Sequence, residues 1–526
     1  MKNTIGRGMS TKIQFKLDFN QDVEVYLKSR HPELKDFRIL SKSLDARGAP
    51  RGKKPIYLYH IEFIKDGEEF SSLDEKFNLK KSFFDKPIII GAGPAGLFAA
   101  LRFAEYGIKT TVIERGDEAT KRMLSISKYW RNGVLNTESN VCYGEGGAGL
   151  FSDGKLITRV KSPFIKYVMR TFVKYGAPEE VEYLSNPHLG SNKIRKIITK
   201  ISDDLRAQGH KFIYNEKVVK VLFEDDKAIG VELGNGQILK SDHIILATGH
   251  SAADMYKHLH SAGVAMQSKD FAVGVRVEHP RVIIDELQHG QYHESEFLGA
   301  ARYRLSYHNH NTNKGTYSFC MCPGGYVLSS GTEVDGIVVN GMSNYARNSK
   351  WSNSALVVTV KRGEDFDKDD ILAGLDFQQK IERKAYQMSL EKSDGKSLPC
   401  TTVTEFMQDE VDFNQDLPKT SSPSGIFKAD LKKIFPEFII DHLKTALEEF
   451  NRKIPGFVYD NALLIAPETR TSAPITILRD KKSLESTSHK QLYPAGEGAG
   501  YAGGITSAGV DGIRIVEAIL ENYKNE

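Results

Sequence analysis

Three glycines, Gly91, Gly93 and Gly96, stand in GxGxxG spacing between the apolar run PIII and the helix-like GPAGLFAALRFAEYG. At the first position glycine permits a tight turn, at the second it lets backbone approach a pyrophosphate, and at the third it lets helix pack closely on strand. A helix starting at Pro94 and Ala95 presents unpaired N–H groups and a positive dipole end there, worth about 0.3–1 kcal/mol to an exposed anion. Eighteen residues after Gly96, Glu114 closes the strand-like TTVIE and is followed by Arg115. A carboxylate there accepts from ribose hydroxyls and repels a 2′-phosphate. The chemistry these residues predict is the binding of a dinucleotide.

Three further stretches extend that prediction. HIILATGH ends an apolar run at Thr248 and Gly249, small residues that let the chain pass close to a nucleotide, and Val219 of KVVKVLFED is added from the preceding strand. GEGGAGLFSDGK offers Gly146, Gly147 and Ala148 as a loop able to lie flat against a ligand. Near the C-terminus, LYPAGEGAGYAGGITSAGVDGI supplies a second glycine turn with Gly496 and Glu497, and a second helix start at Gly504, Ile505 and Thr506. NAD on one Rossmann unit needs no second helix start, whereas a longer cofactor with a ribityl chain and a ring system does. The predicted cofactor is FAD, with NADH or NADPH as a transient reductant, since no second complete GxGxxG is present and LGNGQ reads as a hairpin turn.

In this order the motifs resemble the two-domain flavoproteins of the glutathione-reductase-like superfamily. More narrowly, SNVCYGEGGAGLFSDGKL, NPHLGSNKIR, ATGHSA, FAVGVRVEHP, FCMCPGGYV and the C-terminal glycine stretch are similar to the family of uncharacterised FAD-dependent dehydrogenases, over most of the chain after Lys86. The resemblance implies a flavin and a redox role and names no substrate. In the superfamily the last turn usually carries an aspartate bonded to the ribityl chain. Glu497 stands there in this chain.

Hydride arriving at a flavin places negative charge on its pyrimidine side, so a helix start at 503–506 is expected to face it. A dipole worth ~1 kcal/mol moves a two-electron potential by only about 20 mV, leaving direct N–H bonds and exclusion of water to do most of the tuning. For substrate chemistry the candidates are Lys155, as an anchor for an anion, His188, His250 and His279, because imidazole titrates nearest neutral pH, and Cys322 of the CMC pair. Spacing singles out none of the histidines. A strand leading into PGG favours buried, reduced thiols for Cys320 and Cys322 over a relay to the flavin. The expected activity is that of a dehydrogenase or reductase acting on a small molecule; a flavin monooxygenase is the alternative the same fold allows.

These residues need an α/β scaffold. With 526 residues, 40% hydrophobic and 27% charged at a net charge of +4, the chain has ample length for a large core and excludes disorder and polycation classes. The expected architecture is a discontinuous Rossmann-like FAD-binding domain (86–268 and 461–526), an inserted α+β cap or substrate domain (269–460), and a small N-terminal α+β module (1–85). The module carries 17 Lys and Arg against 13 Asp and Glu, the whole excess of +4. Its RGAPRGKK stretch gives a weak electrostatic footprint for RNA or a partner, and a solvated loop is the favoured reading. Four scattered cysteines form no CxxC pair, so neither a disulfide framework nor a zinc site is expected. No signal-peptide core is visible in the first residues and no membrane span elsewhere, so the expected location is the cytoplasm.

Overall fold

The computed structural model describes residues 8–70 and 86–522. The leader reading at residues 1–7 and the junction at 71–85 lie outside the described residues. The nucleotide domain is built on a five-stranded parallel sheet in the order Leu492–Pro494, Ile244–Leu246, Ile88–Ile90, Thr111–Ile113, Lys211–Ile213. The three central strands are almost wholly buried triplets, III, TVI and IIL, as a sheet covered on both faces requires. One face carries helices Pro94–Glu105, Gly190–Ala207 and Ile505–Asn522, and the other the antiparallel meander Val218–Glu224, Lys227–Leu233, Ile238–Lys240. This is the expected Rossmann-like FAD-binding fold.

What brings the two ends of the chain together is the packing of helix Pro94–Glu105 on helix Ile505–Asn522. Glycines make their close approach possible. A Cβ on Gly512 would stand 2.1 Å from the Ala95 carbonyl oxygen, and one on Gly509 would stand 2.8 Å from the Phe98 ring. Phe98, fully buried, meets Phe172 edge to face at 5.4 Å. The starts of both helices are therefore neighbours, although 411 positions separate Pro94 from Ile505.

The substrate domain is a seven-stranded mixed sheet with Phe271–Pro280 at its centre, between Trp351–Val360 and Leu463–Glu468. Helices Ala373–Lys392 and Glu437–Lys453 cover it. The ALLIAP strand was expected to open the returning nucleotide domain at 461. It belongs instead to this sheet, paired antiparallel with Phe271–Pro280 and Leu398–Thr402. The chain re-enters the nucleotide domain only after Glu468, where Ile475–Ile477 pairs antiparallel with the outgoing Met266–Ser268.

The N-terminal module is a three-stranded antiparallel sheet, Thr11–Asp18, Ile56–Ile64, Asp36–Asp45, with helix Val23–Arg30 against it. It docks on the substrate domain through Phe19, which contacts Tyr292 and Phe297 edge to face. Its basic loop holds a short 3-10 turn, Ala49–Arg51; before the turn Arg47 pairs with Asp45, and after it Lys54 pairs with Asp18. Among the described residues no helix is long and apolar enough to cross a membrane.

Candidate active site

The first glycine turn is shaped by its neighbours. Gly91 has φ 106°, and a Cβ there would lie 2.3 Å from the Ala247 carbonyl oxygen, so the strand carrying ATG itself demands glycine at this position. Helix Pro94–Glu105 starts with Gly93 as its N-cap, Pro94 in the first turn and no side-chain cap, which leaves its end available to an anion. Glu114, 6% exposed, does more than wait for a ribose. Its Oε2 accepts from the Ala92 N–H at 2.8 Å, and its Oε1 from the N–H groups of Gly116 and Gly144 at 3.1 and 2.9 Å. The carboxylate thus pins the turn to the GEGGAG loop while still facing the cavity. Arg115 lies over the Tyr143 ring at 4.2 Å and bridges Glu138 and Asp254, the latter also held by Lys217.

The GEGGAG loop is wedged between the two helix starts. Gly147 lies against Gly93, and a Cβ on Gly149 would meet Ile505 at 3.0 Å and Pro94 at 3.9 Å. A buried arginine that sequence reasoning missed holds this loop. Arg122 donates to the carbonyls of Asn140, Val141, Gly144, Glu145 and Gly147 at 2.6–3.3 Å. Burial pushes its guanidinium down to about 10. No motif announces it.

The second turn is pinned from its own helix. Gly496, with φ 71°, donates its N–H to Asp511 at 2.8 Å, and Arg479 grips that carboxylate through 2.6 and 3.0 Å bonds. Glu497 follows on the cavity wall; its carbonyl accepts from the Gly500 N–H at 2.9 Å, while its carboxylate takes no hydrogen bond among the described residues. Burial pushes its carboxyl up to about 7, Lys269 opposing and Cys320 adding to the shift. Helix Ile505–Asn522 begins beyond Gly503 and Gly504, where a Cβ would meet nothing within 4 Å.

Between the turns lies a cavity of about 370 Å³, within the range of ligand sites. Of the residues predicted to contact the cofactor, its wall brings together Gly91, Gly93, Pro94, Ala95, Glu114, Arg115, Gly147, Ala148, Thr248, Gly249, Gly496, Glu497, Gly504 and Ile505. Four others stand behind it. Gly96 is packed under the turn, a Cβ there lying 2.0 Å from the Gly91 oxygen. Gly146 spends its N–H on the Ala92 oxygen. Thr506 donates its hydroxyl to Leu156 at 2.7 Å. Val219 is one residue out of phase on its strand, and Val218 takes the wall. The glycines also supply a test of fit. At Gly93 the nearest atom to an added Cβ would be 4.0 Å away, and at Gly249, Gly503 and Gly504 none is within 4 Å, so these positions border open space that side chains would fill. The residues present suit an elongated dinucleotide with a ring system at its far end.

The opposite wall comes from the substrate domain: Phe319, Cys320, Asn340, Glu468, Arg470 and Thr471. Its charges are paired from behind. Glu468 is bound by Arg276 at 2.8 and 2.9 Å, and Arg470 by Glu382 at 2.7 and 2.9 Å. Lys155 reaches this wall from the nucleotide domain, with Nζ on the Met321 carbonyl and 3.9 Å from Asp153, which Arg347 holds. His250 is on the wall, pushed down to about 4 by burial with Arg470 adding to the effect, and its Nδ1 lies 2.8 Å from Ser251 Oγ.

The remaining candidates lie off the wall. His188 stacks on Tyr345 and bonds its carbonyl at 3.1 Å, burial pushing it down to about 4. His279 sits in the core of the substrate domain with Nε2 on the Phe457 carbonyl at 2.8 Å. Neither lines the cavity. Cys322, fully buried beneath Gly325, is likewise off the wall, and Cys320 stands there in its place.

Comparison with known proteins bears on this arrangement. Residues 85–273 match the family described as pyridine nucleotide-disulphide oxidoreductase, and residues 270–471 the family described as FAD-dependent protein, C-terminal domain-like. An uncharacterised protein of Clostridium beijerinckii is 41% identical over 463 residues, 88% of this chain and 85% of that protein. Protein FixC of Escherichia coli is 28% identical over 214 residues, 40% of this chain and 46% of FixC. Among solved structures, L-proline dehydrogenase from P. horikoshii aligns with 84% of this chain and 94% of its own at 11% identity and a TM-score of 0.37.

Proposed function

Because the chain belongs to the FAD-dependent pyridine nucleotide-disulphide oxidoreductase family, we propose that it is a dehydrogenase or reductase moving a hydride between FAD and a small substrate. The observation that carries this reading is the shared cavity. One wall is made of two glycine-bordered helix starts, and the other of substrate-domain side chains. FAD supplies the two-electron redox chemistry when bound. The chain's own residues bind, orient and exclude water. At the first turn the N–H groups of Gly93 and Ala95 would receive the pyrophosphate beside the GEGGAG loop, since those of Gly91 and Ala92 are spent on the Ile113 carbonyl and Glu114 and Pro94 has none. Glu114 and Arg115 face the adenosine half.

Glu497 faces the ribityl side. Gly504 and Ile505 would offer backbone N–H groups and the positive dipole end to the ring, where reduction places negative charge, while the Gly503 N–H is taken by Ser507 Oγ. Lys155 and Arg470 stand where the substrate would lie, Lys155 held by the Met321 carbonyl and Arg470 by Glu382. His250, held neutral by burial, can accept or donate a proton at Nδ1 or Nε2. NADH or NADPH is the proposed reductant, docking from the substrate-domain side. Anaerobic stopped-flow mixing with NADH, NADPH and a panel of candidate donors tests the reading: at least one bleaches the flavin within the dead time or in a single exponential. A flavin that dithionite reduces and every organic donor leaves untouched would refute it.

A further inference from the structure

We propose that Cys320 and Cys322 form an oxidisable pair that takes a small hydroperoxide, with Cys320 as the attacking thiolate on the cavity wall and Cys322 as the resolving thiol behind it. Cys320 occupies a β-bulge. Strand Lys314–Cys322 pairs Phe319 with Ala355 and then Cys322 with Asn353, so Cys320 and Met321 together oppose Ser354. In an unbroken strand the two cysteines would share one face. The bulge, with Cys320 at φ 45°, turns its side chain to the cavity and leaves Cys322 fully buried.

Two cations converge on the bulge: Lys155 through the Met321 carbonyl and Arg276 through the Cys320 carbonyl at 3.2 Å. The Cys322 thiol reaches back to Cys320, its Sγ donating to the Cys320 carbonyl at 3.3 Å. The neighbouring Cys322 thiol, with Lys155 and Arg276 adding to it, holds the Cys320 thiol below its usual range against burial and Glu468, and the proximity of Cys320 together with burial raises Cys322. One sulfur is therefore the nucleophile and the other keeps its proton. The remaining cysteines lack this setting. Cys142, also on the wall, and Cys400, in the substrate-domain core, are both raised by burial.

The chemistry balances with a hydroperoxide as oxidant. The Cys320 thiolate attacks the terminal oxygen of R–O–O–H, the O–O bond breaks, and the alkoxide leaves as ROH after taking a proton. Sulfur is oxidised by two electrons to a sulfenic acid. The Cys322 sulfur then attacks the Cys320 sulfur, forming S–S and breaking S–O, and the departing hydroxide takes the Cys322 proton to leave as water. A dithiol restores both thiols by exchange.

The test exposes FAD-loaded full-length protein to hydrogen peroxide, quenches the peroxide, unfolds the protein in urea with iodoacetamide to block every remaining thiol, and maps each cysteine by mass spectrometry. In wild type, Cys320 and Cys322 become resistant to alkylation together, with a loss of two mass units, at least tenfold faster than Cys142 or Cys400 change. In C322S the product stops at a sulfenic acid on Cys320 that dimedone traps. C320S and C320A, checked for folding by their flavin spectra and circular dichroism, leave Cys322 alkylatable. Oxidation of Cys320 no faster than Cys142 would overturn the proposal, as would a sulfenic acid that persists in wild type beside a free Cys322. The readout is thiol mass rather than turnover, so it stands or falls apart from the proposed hydride transfer.

Discussion

Substituting Gly512 by alanine tests whether the contact between the first and last helices sets the cofactor site. The added Cβ would stand 2.1 Å from the Ala95 oxygen, and ordinary contact begins near 3.4 Å, so the helices must part by about 1.3 Å, the difference of those two distances. The opposing atom is backbone in the first turn of the phosphate-facing helix and cannot swing aside. Overpacking of this kind costs about 1–3 kcal/mol, against which alanine returns up to about 1 kcal/mol of helix propensity. The net loss is on the order of 1–2 kcal/mol, a fall in Tm of about 2–4 °C per kcal/mol if the nucleotide domain unfolds as its own unit and about 1 °C per kcal/mol if all 526 residues unfold together. FAD bridging both helix starts loses alignment at each, and a weakening of at least tenfold corresponds to about 1.4 kcal/mol.

Gly504→Ala supplies the contrast. Its Cβ meets nothing in the ligand-free protein, so the melting temperature of that form stays within about a degree of wild type, while FAD affinity falls because the methyl enters the cavity. Fluorescence titration of FAD into stripped protein, paired with thermal melts, reads both. Wild-type affinity and wild-type melting in Gly512→Ala would refute the reasoning.

Arg276→Met leaves Glu468 buried without its partner and should cost about 3–5 kcal/mol in urea denaturation, much of it recovered by adding Glu468→Leu; a loss below about 1 kcal/mol contradicts this. The Glu497 carboxyl, raised to about 7 in the folded protein from 4.5, keeps a proton that the unfolded chain has lost between those values. The stability it contributes is therefore complete below pH 4.5 and lost as pH rises through 7. Ligand-free Glu497→Gln accordingly melts above wild type at pH 8 and alongside it at pH 4.5, whereas a constant difference across that range argues against the shift. Arg122→Met strands several buried carbonyls of the GEGGAG loop, each worth about 1–3 kcal/mol when unsatisfied, and should shed FAD on gel filtration where wild type retains it.

The glycine turns were legible because their chemistry is local: strand, Gly91, Gly93 and helix start are consecutive residues, and the same holds for Gly496 to Ile505. Long-range pairing was not. ALLIAP reads as a buried strand in either domain, and only its register against Phe271–Pro280 assigns it. The phase error at Val219 arises because a strand's period of two fixes alternation but not which face the ligand takes. Glu114 reads from the sequence as a ribose partner, yet its bonds reach back 22 residues to Ala92 of the first turn and on 30 residues to Gly144 of the GEGGAG loop. Cys320 and Cys322 separate only through a bulge, which leaves no mark in CMC. His188 and His279 carry no signal distinguishing a structural imidazole from a catalytic one until their carbonyl partners are seen.

The central claim is that two helix starts at opposite ends of the chain grip one cofactor. Crystallographic density for the protein purified with FAD addresses it most directly. The account predicts one continuous molecule with its pyrophosphate at Gly91–Ala95 and its isoalloxazine beside Gly503–Ile505. A flavin held wholly at one turn, with the other facing solvent, would contradict it.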